Sequence, residues 1–194
     1  MSTGRRVRGR VGRVDTSFFV SAWQSPSGCR HEHEPARPRV RGCVRNVRPV
    51  DLGFFETVRD AFEGFVRAVP GQRNTYVHSR GLKAWFGDDT REHYEAQLIR
   101  VDGELRLEVG FHAEHPKAPL NEAVLHRLLA TEAKWRRTLG DDAEAGDFIG
   151  RKGWQRISEV WPANETPDVD EAIEVAARLA DYVIALEPAR RAAK

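Results

Sequence analysis

The sequence predicts an α+β protein, with a mainly antiparallel sheet built from hairpins and about three helices packed on one face. Strand-like segments occur in pairs separated by two or three turn residues, a spacing that suits antiparallel neighbours and is too short for a parallel crossover. Helical periodicity occurs in three other segments. The mean hydropathy of −0.57 and the hydrophobic fraction of 40% are typical of a globular protein.

The first 48 residues are expected to form a disordered, arginine-rich tail. Residues 1–50 contain eleven arginines against three acidic residues and show no sustained period of 2 or 3.6. Their net charge is +8, which leaves −6 for the remainder of a chain whose overall charge is +2. Because Met1 is the only methionine, a later start at a valine codon such as Val44, Val47 or Val50 would make the tail a start-site artefact. We expect one α+β domain over residues 49–188 and a disordered C-terminus over residues 189–194.

Three helices are predicted, over residues 54–69, 121–139 and 166–186. The first has apolar residues at helical spacing and ends at Pro70-Gly71. The second follows Pro119 and has Gly140 at its C-cap position. The third begins with an N-cap threonine, a first-turn proline and an acidic first turn, and Pro188 is expected to end it.

Six strands are predicted, over residues 75–79, 82–86, 93–101, 104–113, 147–150 and 154–161. The strongest signal is Asp102-Gly103, because this dipeptide supplies the positive φ angles of a two-residue type I′ turn. Pairing outward from that turn places one set of cross-strand pairs on the core face: Arg100–Leu105, Leu98–Leu107, Ala96–Val109 and Tyr94–Phe111. The other face carries the pairs Ile99–Arg106, Gln97–Glu108, Glu95–Gly110 and His93–His112, and it is polar almost throughout.

The histidine pair on this polar face is the first candidate site. His93 and His112 should have Cβ atoms roughly 5 Å apart, with Glu108 on the same face. A carboxylate near an imidazole favours acid/base chemistry, and neutral imidazole binds zinc and other divalent metals. We therefore consider His93, His112 and Glu108 as catalytic candidates, and His93, His112 and His115 as metal ligands. The competing interpretation is a water-exposed sheet face that carries polar residues for no further reason.

The hairpin before it offers a second set of candidates. Tyr76, His78, Lys83 and Trp85 should share one face, where aromatic rings beside basic groups could line a ligand pocket. With Glu95 and Gln97 they form the predicted ligand-binding set. The alternative is that these aromatic residues belong to the core and its edge.

The tail contributes two weaker hypotheses. Cys29, His31, His33 and Cys43 are of zinc-ligand type, but their spacing is unlike that of structural zinc sites. The arginines could bind nucleic acid, which we regard as a second alternative because the acidic remainder would repel phosphate. The chain lacks a Gly-rich phosphate loop, a Gly-x-Ser-x-Gly elbow and a His-Glu-x-x-His helix, which argues against several common nucleotide-binding and hydrolase families.

The sequence thus favours a small cytoplasmic protein of bacterial type that binds a partner protein or small ligand without catalysis of its own. The alternative is a metal-assisted or acid/base hydrolase that uses the His93/His112 face, and only this alternative would need zinc or another divalent metal. The chain has no apolar span long enough for a membrane helix. A homodimer could bury the polar face and make the histidine pair a pH switch.

Overall fold

The computed structural model describes residues 52–164 and 167–192. Four helices lie in these ranges: α1 (Leu52–Phe65), α2 (Ala118–Leu129), α3 (Glu132–Leu139) and α4 (Val169–Arg191). The strands are β1 (Arg73–His78), β2 (Gly81–Phe86), β3 (Glu92–Val101), β4 (Glu104–Ala113), β5 (Glu144–Asp147) and β6 (Gln155–Pro162). The expected tail over residues 1–48, with its four zinc-type residues and its arginines, lies outside the described residues.

The six strands form one antiparallel sheet in the order β1-β2-β3-β4-β6-β5. The predicted α+β class is therefore confirmed, with four helices in the described residues instead of about three. Helices α1 and α4 pack against each other and against the sheet, so that one sheet face meets the core. Large buried side chains fill this layer, including Phe55, Phe62, Tyr94, Phe111 and Leu179.

The central hairpin forms as the Asp-Gly turn predicts. Asp102 has a φ of 52° and Gly103 a φ of 85°, the backbone that a type I′ turn needs. All eight predicted cross-strand pairs of β3 and β4 are present, including His93 opposite His112. The register of this hairpin, and with it the two faces, was predictable from local chemistry.

The predicted second helix is two helices, which meet at Ala130-Thr131. The carbonyl of Leu128 accepts hydrogen bonds from the Thr131 amide, the Thr131 hydroxyl and the indole of the buried Trp135. These donors occupy the carbonyl that a continuous helix would pair with the amide four residues later. The prediction of one uninterrupted helix was wrong for this reason.

The C-terminal helix does not end at Pro188 as predicted but continues to Arg191, three residues into the segment we expected to be disordered. The guanidinium of Arg190, buried beneath the helix, donates hydrogen bonds to Glu187 and to the carbonyl of Phe86. Tertiary contacts of this kind stabilise the last turn despite the amide that proline lacks. Residues 193–194 lie outside the described part.

The strand predicted over residues 147–150 lies earlier in the chain, where it forms β5 (Glu144–Asp147). Residues after Asp147 form a turn instead, in which the Arg151 amide donates to the Phe148 carbonyl, and Gly150 and Gly153 have positive φ. None of the helices described combines the length with the apolar character needed to cross a membrane.

Candidate metal centre

The polar face of the central hairpin is buried at its histidine and glutamate positions and half-buried at Gln97, Ile99 and Arg106, so it is not the water-exposed face of the competing interpretation. His93 and His112 expose 1% and 0% of their surface, and their ring centroids lie 5.5 Å apart in an edge-to-face arrangement. The loop between β5 and β6 contributes to the cover, since the Phe148 ring packs edge-on against His112 at 4.9 Å. A buried pair of imidazoles is desolvated, so its partners decide its charge and chemistry.

Glu95 lies at the centre of this face. Its Oε2 is 3.2 Å from His93 Nε2 and 3.2 Å from His112 Nδ1, while its Oε1 is 3.1 Å from His78 Nε2. The residue opposite on β4 is Gly110, where an added Cβ would lie 2.3 Å from Ser158 Cβ. Only glycine fits between β3 and β6 at this position.

Glu114 completes a group of four residues, His93, Glu95, His112 and Glu114, which we call the histidine–glutamate cluster. One nitrogen or carboxylate oxygen from each lies within 4.8 Å of all the others. Glu114 Oε1 is 3.8 Å from His93 Nε2. A tetrahedral zinc site with bonds of 2.0–2.1 Å has ligand atoms about 3.3 Å apart. The separations in the cluster are therefore close to those that a metal ion requires.

Each histidine has a partner that orients it. His93 Nδ1 lies 3.1 Å from the carbonyl oxygen of Thr90, which can only accept, so Nδ1 donates and Nε2 carries the lone pair. His112 Nδ1 donates to Glu95, and His112 Nε2 lies 3.5 Å from Glu108 Oε1. That distance is too long for a normal hydrogen bond, and among the residues that the structure describes His112 Nε2 is otherwise a buried polar atom without a partner.

Glu108 lies behind His112 and is itself fully buried. Its carboxylate accepts hydrogen bonds from the Ser158 hydroxyl at 2.7 Å and from the Gln97 amide at 3.1 Å. Arg156 lies 3.7 Å from the same carboxylate and donates to Ser158 Oγ. These contacts fix the Glu108 carboxylate behind His112. A carboxylate behind a metal-binding histidine is a recurrent feature of metal sites.

The charges of the cluster follow from these contacts. Burial alone would lower the pKa of His112, but the carboxylates of Glu108 and Glu95 raise it to about 9. Burial lowers the pKa of His93 and outweighs the effect of Glu95, so His93 is neutral at pH 7. For Glu95, burial would raise the pKa, yet hydrogen bonds from His112 and His78 hold it well below its ordinary value. The carboxylate is therefore ionised.

Lys83 supplies the cation that the cluster requires. Its Nζ is 3.1 Å from His93 Nε2, 3.3 Å from Glu95 Oε2 and 3.5 Å from Glu114 Oε2. His93 Nε2 and Glu95 Oε2 are both acceptors, so a cation between them relieves the repulsion of their lone pairs. The ammonium group thus contacts three of the four cluster residues, His93, Glu95 and Glu114.

The structure brings most of the predicted site residues to one face. His78, Lys83, Glu95 and Gln97 contact the cluster or its support, and Tyr76 and Trp85 lie beside Lys83 on that face. His115 does not join the pair, because its Nε2 lies 3.5 Å from Glu92 in a separate group with Asp89. Glu114 takes the place that we had considered for His115. Strand alternation continued by two residues, from His112 to position 114, would have found it.

Comparisons of the chain with protein-family models, with curated proteins and with solved structures found no match, so the site is interpreted from its own chemistry.

Proposed function

We propose that this protein is a metal-assisted hydrolase whose divalent ion is held by the histidine–glutamate cluster. The observation that carries the proposal is the convergence of four donor atoms within 4.8 Å on a buried face, with the His93 lone pair turned toward them. Two imidazoles and two carboxylates form a donor set that suits zinc and similar first-row metals.

The surrounding residues support a catalytic rather than a purely structural metal. Structural zinc sites are usually closed by four ligands that include cysteine, whereas catalytic sites hold the metal with three protein ligands, such as two histidines and a carboxylate, and leave one position for water. Here His93, His112 and Glu95 would supply the three ligands, and Glu114, 3.8 Å from His93 Nε2, would border the open position. Glu114 and Lys83 are the more exposed groups here, with side chains 11% and 31% exposed. Water and substrate would therefore approach from the Lys83 side. A bound divalent ion would polarise the scissile bond and lower the pKa of water.

The test is the metal content of full-length protein purified without a metal-affinity tag, measured by ICP-MS. We expect about one zinc, manganese or nickel ion per chain, and its loss in the His93→Ala/His112→Ala double variant. His126→Ala is the matched control, because His126 is exposed on α2 away from the cluster. Metal-free wild-type protein that also fails to take up added zinc would refute the proposal.

The hydrolase assignment needs a second measurement. Wild-type protein treated with a chelator should lose activity toward a panel of ester and phosphoester substrates, and added metal should restore it. A metal-loaded protein that hydrolyses none of them would reduce the proposal to metal binding alone.

A small-ligand-binding protein is the second candidate, favoured by an apolar cavity of about 450 Å³ between α1 and α4. Its lining includes Phe65, Val69, Val183, Ile184 and Pro188. A cavity of this size and character suits an apolar small molecule. Saturable binding of a fluorescent apolar probe, lost in Ile184→Glu, would support this candidate.

A further inference from the structure

The sheet face that holds the histidine–glutamate cluster continues over β2 and β1 toward solvent. Lys83 on β2 pairs with Glu95 on β3, and Tyr76 on β1 pairs with Lys83. Directly opposed residues of an antiparallel pair have Cβ atoms about 5 Å apart. The three side chains thus form a row from the buried cluster, through a half-buried cation, to an exposed aromatic ring.

Lys83 cannot keep its present contacts when a divalent ion occupies the cluster. Its ammonium lies within 3.1–3.5 Å of side-chain atoms of three of the residues that would ligate the ion, His93, Glu95 and Glu114. Two cations at such distances repel each other strongly in a partly desolvated site. Because the Lys83 side chain is already 31% exposed, it can turn toward solvent beside the ion. An anionic group bound between the ion and the ammonium would then satisfy both.

Tyr76 supplies a flat apolar surface at the next position. It is 59% exposed, although its neighbours on this face are half-buried or buried. Its ring is stacked on the His78 imidazole, with centroids 6.0 Å apart and an angle of 24° between the planes. His78 in turn contacts Glu95, so the exposed ring is backed by a residue tied to the cluster. An aromatic ring held in this way favours stacking with a planar group.

We propose that the substrate is an aryl phosphate, whose anionic group binds between the metal ion and Lys83 while its ring stacks on Tyr76. The inference rests on the proposed metal centre and names the substrate class of that site. Lysine is a common phosphate-binding residue because its ammonium is a compact point charge. The cross-strand distance between Lys83 and Tyr76 matches a ring joined to phosphorus through a short ester linkage.

Binding of two probes to zinc-loaded, full-length protein tests the proposal. Isothermal titration should give a Kd for phenyl phosphate about tenfold lower than that for ethyl phosphate, the gain that one stacked ring provides. Tyr76→Ser should abolish this preference, whereas Tyr76→Phe should retain it. Lys83→Met should weaken both phosphates about tenfold, as expected for a lost charge-assisted hydrogen bond. Circular dichroism checks that each variant is folded.

The outcomes separate this inference from the proposed function. Equal affinity for the two probes, or a ring preference that survives Tyr76→Ser, overturns the substrate class while ICP-MS of the same sample still reports the metal. A sample without metal overturns the proposed function itself, and the substrate class with it. A ring preference that requires Tyr76 and a phosphate affinity that requires Lys83 support the inference.

Discussion

Two buried ionic groups lie on opposite faces of the sheet near the same end of β3, and they are built differently. On the core face, Tyr94, Glu187, Arg190 and Arg191 form what we call the arginine network. Arg190 donates two hydrogen bonds of 2.7 Å to Glu187 and one of 2.9 Å to the Phe86 carbonyl. Tyr94 and Arg191 also donate to Glu187. Burial would raise the pKa of Glu187, but these donors lower it.

The histidine–glutamate cluster has the opposite character. Three nitrogens, from His93, His112 and Lys83, lie within 3.3 Å of the single oxygen Glu95 Oε2, and His112 Nε2 has no hydrogen-bond partner. Guanidinium groups keep their charge at any ordinary pH, whereas imidazole and ammonium groups can give up a proton or turn away. The arginine network is therefore a fixed structural element, whereas the cations of the cluster can be displaced, as the proposed metal binding would require.

The largest effect should come from breaking the arginine network. Glu187→Ala removes the main counter-charge of the buried Arg190 guanidinium and leaves only Glu92, 3.4 Å away, so we expect a loss of up to about 3–5 kcal/mol in the free energy of unfolding. Urea denaturation of the metal-free protein measures it. Glu174→Ala, an exposed site on the same helix, should change stability by less than about 0.5 kcal/mol. A loss below about 1 kcal/mol for Glu187→Ala would show that the arginine network contributes little to the stability of the fold.

The second effect concerns metal affinity rather than folding. Glu108→Gln keeps the ligands but removes the negative charge behind His112, so zinc affinity should fall about 10–100-fold. Competition with a chromophoric chelator measures the Kd. Glu104→Gln, an exposed glutamate on the same strand, is the matched control. Unchanged affinity in Glu108→Gln would show that the buried carboxylate is structural only.

The third effect is a dependence of the free energy of unfolding on pH, which arises from the cluster. His112 has a folded-state pKa of about 9, above its ordinary value of 6.5. The stabilisation by its proton is complete below pH 6.5 and is lost as the pH rises through 9. Between pH 7 and 9.5 the metal-free protein should lose on the order of 2 kcal/mol. The arginine network does not titrate in this window.

Urea denaturation at the two pH values, with a chelator present, measures this loss. His112→Gln should show a much flatter profile because it has no proton to release. Wild-type stability that stays constant or rises toward pH 9.5 would contradict the assigned protonation of His112.

The predictable part of the site depended on one local turn. Asp102-Gly103 fixed the register of β3 and β4, and the His93–His112 pair followed from counting outward. The contact of Lys83 with Glu95 did not follow, because β2 and β3 are joined by a longer segment whose length leaves the register open. The burial of the polar face also could not be predicted from the local sequence. It depends on tertiary contacts such as that of Phe148, a residue we had placed in a strand.

The helices were predictable in position but not in their ends. Proline and glycine mark probable ends, yet the break at Ala130-Thr131 contains neither, and it results from competition for one carbonyl. Pro188 carries a strong local stop signal that the buried Arg190 overrides. In both places a buried side chain, Trp135 or Arg190, determines where the helix ends. Its contacts could not be predicted from the local sequence.

The central hairpin also sets the order in which the protein can assemble during synthesis. All four cluster residues lie between His93 and Glu114, within 22 residues of chain, around a two-residue turn. Hairpins form in microseconds, far faster than the ribosome adds residues. The donor atoms can therefore gather while α4 is still untranslated. A metal ion captured at that stage would act as a folding nucleus, and the yield of folded protein would then depend on metal supply.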